Sequence, residues 1–173
     1  MARPARRMPR IGVIGEGVCS KRAAALAERA GRAIARAGAL LLCGGLGGVM
    51  EAASRGAADA GGLVIGVLPG FAPGDANRWV TLPIVTGMDQ ARNVILVRSC
   101  HAIVAIGGMY GTLSEIALAL KLGIPVVGLG TWRLRQPQGR RVPLTAALTP
   151  EDAVARALRA ARRRQRATRR WLA

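Results

Sequence analysis

The strongest constraint on this chain is a recurring pattern. Short, uniformly apolar runs end in or beside glycine and alternate with alanine-rich segments of helical spacing. The runs are IGVI at 11–14, ALLLC at 39–43, LVIGVLP at 63–69, AIVAI at 102–106 and PVVGLG at 125–130. Runs of this length with no polar alternation suit strands buried on both faces, which need helices on both sides of a parallel sheet. The intervening segments agree. In KRAAALAERAGRAIARA, residues 21–37, Leu26, Ala30, Ala33, Ile34 and Ala37 share one helical face opposite the charges, and Gly38 is a stop signal. A short strand near LPIVTG, a helix over 88–99 and another ending at Leu122 extend the series, whereas 131–148 is turn-rich and predicts no defined element. The expected fold class is α/β: a single Rossmann-like three-layer domain with a mainly parallel central sheet.

Length and composition fit one domain. The chain has 173 residues and only 3% aromatics, so its core must come from Ala, Val, Leu and Ile. The expected organisation is a basic N-terminal extension (1–10), a Rossmann-like nucleotide-binding domain (11–148) and a C-terminal Arg-rich helix or tail of the same domain (149–173). Thr149-Pro150-Glu151-Asp152 reads as a helix start, with a capping hydroxyl, a first-turn proline and acids at the positive dipole end. Within that tail Val154, Ala157, Leu158 and Ala161 form a face able to dock. No apolar stretch is long enough for a membrane span, and no signal region is recognisable at the N-terminus. Cys19, Cys43 and Cys100 lack paired or metal-binding spacing and are expected as reduced thiols of a cytoplasmic protein.

The net charge of +17 is concentrated at the ends. Residues 1–10 carry four arginines and no acid, and residues 151–173 carry eight arginines against Glu151 and Asp152. Such termini can pair with phosphates, so nucleic acid is a candidate partner only through them. The arginines far outnumber the two lysines and accompany heavy alanine use, a compositional bias that lowers the weight of the charge.

Three glycine-bearing turns fall where strands lead into helices, the place where open α/β sheets bind ligands. Gly15-Glu16-Gly17 lacks the complete dinucleotide spacing. Gly44-Gly45-Leu46-Gly47-Gly48 leads into Met50 and Glu51 at a helix start, and Gly107-Gly108 leads through Tyr110-Gly111 to Thr112. Each turn admits a bland reading, a tight turn before a capped helix. Each also admits a ligand reading, because glycines let an anion approach the free amides of a helix N-terminus. Two such turns in one sheet point to a phosphorylated ligand. Glu115, one turn further on, is either a dipole-complementing acid or a group facing the ligand, and Arg92 either a solvated helix charge or a phosphate donor.

GGLGGVMEAASRGAADAGGLVIGVLPG at 44–70 and ARNVILVRSCHAIVAIGGMYGTLSEIALALKLGIPVVGL at 91–129 together resemble the SLOG superfamily. It includes the Lonely Guy (LOG) phosphoribohydrolases and the molybdenum cofactor carrier proteins, and the spacing is closer to the carrier-like branch. In the hydrolase branch an arginine and the glutamate of PGGxGTxxE release free base from nucleoside 5'-monophosphates. The resemblance puts Arg92 and Glu115 on those two positions. It implies a ligand held at Gly15, Gly44, Gly45, Gly47, Gly48, Met50, Glu51, Gly107, Gly108, Tyr110, Gly111 and Thr112, with no metal site. It further implies a homodimer or larger homo-oligomer.

Two functions follow from the resemblance. The first is hydrolysis of the N-glycosidic bond of a nucleoside monophosphate, which needs no cofactor. The alternative is a non-catalytic carrier whose cargo is molybdenum cofactor, a pterin phosphate. Three residues depart from the family pattern: Met109 replaces a glycine, His101 stands where Asp is usual, and Glu16 replaces a small residue. His101 is expected to be structural.

Overall fold

The apolar runs do become strands, and their residues are buried because helices cover both faces. The computed structural model describes residues 8–171, with side chains through residue 165. Residues 1–7 of the expected basic extension and the arginines beyond 165 lie outside the described residues. In chain order the elements are β1 (Arg10–Gly15), α1 (Lys21–Arg36), β2 (Leu40–Cys43), α2 (Val49–Ala58), β3 (Val64–Leu68), β4 (Leu82–Val85), α3 (Arg92–Ser99), β5 (Ala102–Ile106), α4 (Tyr110–Lys121), β6 (Val126–Leu129), β7 (Leu144–Ala147) and α5 (Pro150–Trp171). The strands form one seven-stranded sheet in the order β4-β3-β2-β1-β5-β6-β7. Every neighbouring pair is parallel. The order reverses between β1 and β5, the switch point at which such sheets leave a crevice.

Two apolar layers sandwich the sheet. On one face α1, α2 and α5 pack over Ile11, Val13, Leu41 and Val104. On the other, α3 and α4 pack over Ile14, Leu42, Val67 and Ile103 through Leu96 and Ile116. Each fully buried Leu or Ile contributes about 1.5–3 kcal/mol, so these layers dominate the stability. Helix α1 starts where the Ser20 hydroxyl accepts from the Ala23 amide at 3.1 Å. It meets α2 unusually closely. A Cβ on Gly31 would lie 2.0 Å from the Ala53 carbonyl oxygen, and one on Gly56 would lie 1.9 Å from that of Glu28. The two backbones touch along a reciprocal seam that any side chain would wedge apart.

The expected elements are present, with three adjustments. β1 starts at Arg10, inside the segment read as an extension, and Pro9 is already buried. The helix expected at 88–99 is a short 3₁₀ turn, Asp89–Ala91, followed by α3. The turn-rich segment 131–148 contains β7, which pairs with β6 from Val126↔Leu144 to Leu129↔Ala147. α5 docks through Val154, Ala157, Leu158 and Ala161, all buried, and the Thr149 hydroxyl caps it by accepting from the Asp152 amide at 3.2 Å. His101 is structural: its Nδ1 accepts from the Arg10 amide at 2.9 Å. Burial, with the nearby charges of Arg10 and Arg164, lowers its pKa to about 4, which keeps it a neutral acceptor. Cys43 and Cys100 are buried free thiols, and Cys19 is half-buried. No helix among the described residues is long and apolar enough to cross a membrane.

Candidate functional site

The site begins with how the chain enters α3. Gly87 (φ 61°) and Asp89 (φ 47°) both occupy the left-handed region. The Asp89 amide donates to the Pro69 carbonyl at 3.1 Å, pinning this entry beside the end of β3. The 3₁₀ turn then rotates Arg92 inward, and its side chain is only 8% exposed. Its guanidinium lies against Gly44 at the end of β2. A Cβ on Gly44 would sit 2.5 Å from Nη1, 2.7 Å from Nη2 and 2.6 Å from the Met50 sulfur. Gly44 is therefore glycine because Arg92 and Met50 occupy the place of its side chain.

Arg92 is not satisfied there. Its Nε and Nη1 are buried without a hydrogen-bond partner, and so is Oδ1 of the following residue, Asn93. Leaving buried polar atoms unpaired costs about 1–3 kcal/mol each, more for charged groups. Such atoms on two consecutive residues, at the carboxyl end of a parallel sheet, are ones that the polar atoms of a ligand would satisfy. Burial lowers the arginine pKa while the charges of Glu115, Cys43 and Asp89 support it. A guanidinium stays protonated at neutral pH regardless.

Glu115, on α4, is 7% exposed. Burial raises its pKa to about 7, against the lowering pull of Arg92. The two groups thus act on each other electrostatically, and the Cys43 thiol between the strands feels both. Among the described residues they make no direct ion pair. A carboxyl that is part protonated at neutral pH, facing a fixed positive charge, can donate or accept a proton or hydrogen bond.

The turn before α4 supplies the other wall. Gly107 (φ 57°) and Gly108 (φ 110°) adopt conformations that favour glycine. A Cβ on Gly108 would also strike the Thr112 side chain at 2.4 Å. Thr112 is 3% exposed and its hydroxyl makes no hydrogen bond among the described residues. Met109 has φ −101°, so replacing the family's glycine there strains nothing, and its side chain points outward, 63% exposed. The Gly107 amide donates to the Leu129 carbonyl at 3.3 Å. The free amides at the start of α4 therefore begin after Gly107.

The expected ligand residues thus separate into groups. Gly44, Met50, Arg92 and Glu115 converge, with Gly108 and Thr112 at the mouth of α4. Gly15 is a packing position, with Val49 and the Ile106 carbonyl within 2.6 Å of a would-be Cβ. Gly48 (φ 64°) lets the first amide of α2, on Val49, donate to the Glu16 carbonyl at 3.0 Å. Gly45 (φ 76°) packs on Leu68 and Gly66, and Gly47 lies against the Gly17 carbonyl. Glu51, Tyr110 and Gly111 face solvent. Asn93 was not among the expected residues. Its one sequence signal is position, directly after Arg92 on the face of α3 that carries Leu96 and Val97 inward.

The matching family description, SLOG cluster4 family, covers residues 8–157. The chain belongs to the SLOG cluster4 family. A relative, an uncharacterized protein of Archaeoglobus fulgidus, is 47% identical over 123 residues, 71% of this chain and 81% of its own. Two solved structures are similar throughout. The molybdenum cofactor binding protein of Rippkaea orientalis is 38% identical, covers 86% of this chain and 94% of its own, and superimposes with a TM-score of 0.79. The Moco carrier protein of Chlamydomonas reinhardtii is 39% identical, with 89% and 98% covered and a TM-score of 0.77. The chain is thus a SLOG protein of the carrier-like branch, as the 44–70 and 91–129 motifs imply.

Proposed function

We propose that this protein is a carrier that binds molybdenum cofactor, a pterin phosphate, as cargo in the cleft of Arg92, Asn93 and Glu115. The observation that carries the reading is the set of orphaned buried atoms, Arg92 Nε and Nη1 with Asn93 Oδ1. A pterin ring presents both N–H donors and acceptor nitrogens and oxygens on one rigid edge, and these three atoms offer the complementary donors and acceptor. The free amides opening α4 and the Thr112 hydroxyl suit the phosphate, which the positive end of a helix favours. The likeness to two carrier structures across almost their whole length supports the same reading. Molybdenum is part of the cargo and asks for no protein ligand in this scheme.

The test is direct transfer. The purified full chain is loaded with cofactor released from a molybdoenzyme, repurified, and assayed for reactivation of cofactor-free nitrate reductase. Wild-type protein should protect and deliver the cofactor, while Arg92→Ala should lose it. Free cofactor decaying equally fast with and without the protein would reject the carrier reading.

A second reading, hydrolysis of nucleoside 5'-monophosphates, is favoured by one observation: Glu115, raised to about 7, faces Arg92. That pair can stabilise a cationic sugar and protonate a departing base. Release of free base from AMP by wild type, abolished in Glu115→Gln, would establish it.

A further inference from the structure

The carboxyl edge of the sheet holds a second hollow, apart from the residues of the cleft. It lies over the ends of β5, β6 and β7 and has a volume of about 1260 Å³. The first turn of α1 forms one wall. The other is the excursion between β6 and β7, which leaves the sheet at Gly130 (φ 61°) and folds back through an antiparallel bridge, Arg135↔Arg141. Neither Arg92, Asn93, Gly44 nor Glu115 lines it. Glu16 and Gly107 line it where β1 and β5 end.

The lining is chemically lopsided. Arg22, Arg133, Arg135 and Arg141 reach it from both walls, against a single acid, Glu16. None of the four arginines makes an ion pair or side-chain hydrogen bond among the described residues; the ion pairs lie on the helices instead. Four unneutralised guanidinium groups around one hollow repel one another, and an anion of several charges relieves that repulsion. The hollow also has an aromatic side. Trp132 lines it, its ring centroid 6.1 Å from that of Tyr110, and the buried indole Nε1 has no acceptor. A flat heterocycle can stack there, with the indole N–H and the Glu16 carboxylate offering it a donor and an acceptor. Ligand pockets commonly enclose about 300–1,000 Å³, so a nucleoside with a phosphate chain fits this volume.

The geometry points to a second ligand site here, separate from the Arg92–Glu115 cleft, for a nucleoside di- or triphosphate. The arginines hold the phosphate chain and the Trp132 side holds the base. The site stands independently of the carrier reading, because Arg92, Asn93, Gly44 and Glu115 are all absent from its lining.

ATP is the probe, titrated into the full chain by calorimetry and by tryptophan fluorescence. Saturable binding with quenching is expected, and Trp132→Phe should remove most of the quenching. The double variant Arg135→Ser/Arg141→Ser should bind ATP about tenfold more weakly or worse, since it deletes two charge-assisted contacts. Both positions are exposed, so its melting temperature should stay near wild type, and Arg133→Glu provides a second charge variant. Arg92→Ala should bind ATP as wild type does. Four results each overturn the assignment: undiminished ATP affinity in the double variant and in Arg133→Glu; loss of ATP binding in Arg92→Ala, which puts ATP in the cleft; pyrophosphate bound as tightly as ATP, which removes base recognition; or an oligothymidylate bound more tightly than ATP, which makes the surface one for nucleic acid.

Discussion

Replacing Glu115 by Gln tests the electrostatics of the cleft without any ligand. Burial favours the neutral carboxyl, so the folded protein holds a proton with a pKa of about 7 where an ordinary glutamate releases it near 4.5. Each pKa unit is worth about 1.4 kcal/mol, so the full difference is about 3 kcal/mol. Because the folded pKa is the raised one, this stability is fully present below pH 4.5 and is lost as the pH climbs through 7. His101 works in the opposite direction: its lowered pKa costs stability as the pH falls below about 6.5. A wild-type pH profile alone therefore mixes the two. Glu115→Gln mimics the protonated side chain and leaves His101 untouched, so the gap between variant and wild type isolates Glu115. Urea unfolding at pH 5 and pH 8 measures that gap. Relative to wild type, the variant should gain about 2–3 kcal/mol on going from pH 5 to pH 8. A gap that stays constant across this range refutes a buried, proton-retaining Glu115. It would also remove the acid–base argument for hydrolysis.

Gly44→Ala should leave stability within about 1 kcal/mol, because the new methyl displaces the flexible end of Arg92, yet it should weaken cofactor retention markedly. Urea unfolding and the transfer assay separate the two effects. Gly108→Ala combines a φ of 110° with a strike on Thr112, and should cost about 1–3 kcal/mol in the same unfolding assay while blocking ligand. Self-association is expected, since Leu82 and Ile84 on edge strand β4, with Met88 before α3 and Val94 on it, leave apolar surface exposed. Light scattering at micromolar concentration should give a multiple of 18.0 kDa, and a mass of one chain would remove the dimer.

Sequence pattern reached the framework more readily than the site. Buried parallel strands announce themselves, because IGVI, AIVAI and PVVGL can be apolar on both faces only between two helix layers. β7 did not: LTAA is a half-exposed edge strand, and its threonine and alanines carry neither alternation nor an apolar run. Arg92 and Glu115 were legible through motif spacing, but their burial was not. It depends on the turn at Asp89 and on the space left by Gly44, both set by tertiary packing. Asn93 stayed hidden for a related reason. One amide on a short helix looks solvated until α3 is laid on the sheet. The arginines of the second hollow were discounted as compositional bias, and only the fold brings Arg22 within the same cavity as Arg135 and Arg141.

The seam between α1 and α2 has a mechanical consequence. With the Gly31 and Gly56 backbones in mutual contact, the two helices cannot slide or separate without losing the whole interface. The seam braces α1 against α2, and the Val49 amide, donating to the Glu16 carbonyl at 3.0 Å, ties the Glu16 turn to the start of α2 beside the 44–48 turn. The opposite wall is braced as well: the Gly87 amide donates to the Gly70 carbonyl at 2.9 Å and the Asp89 amide to that of Pro69 at 3.1 Å, so the left-handed entry to α3 is tied to the end of β3.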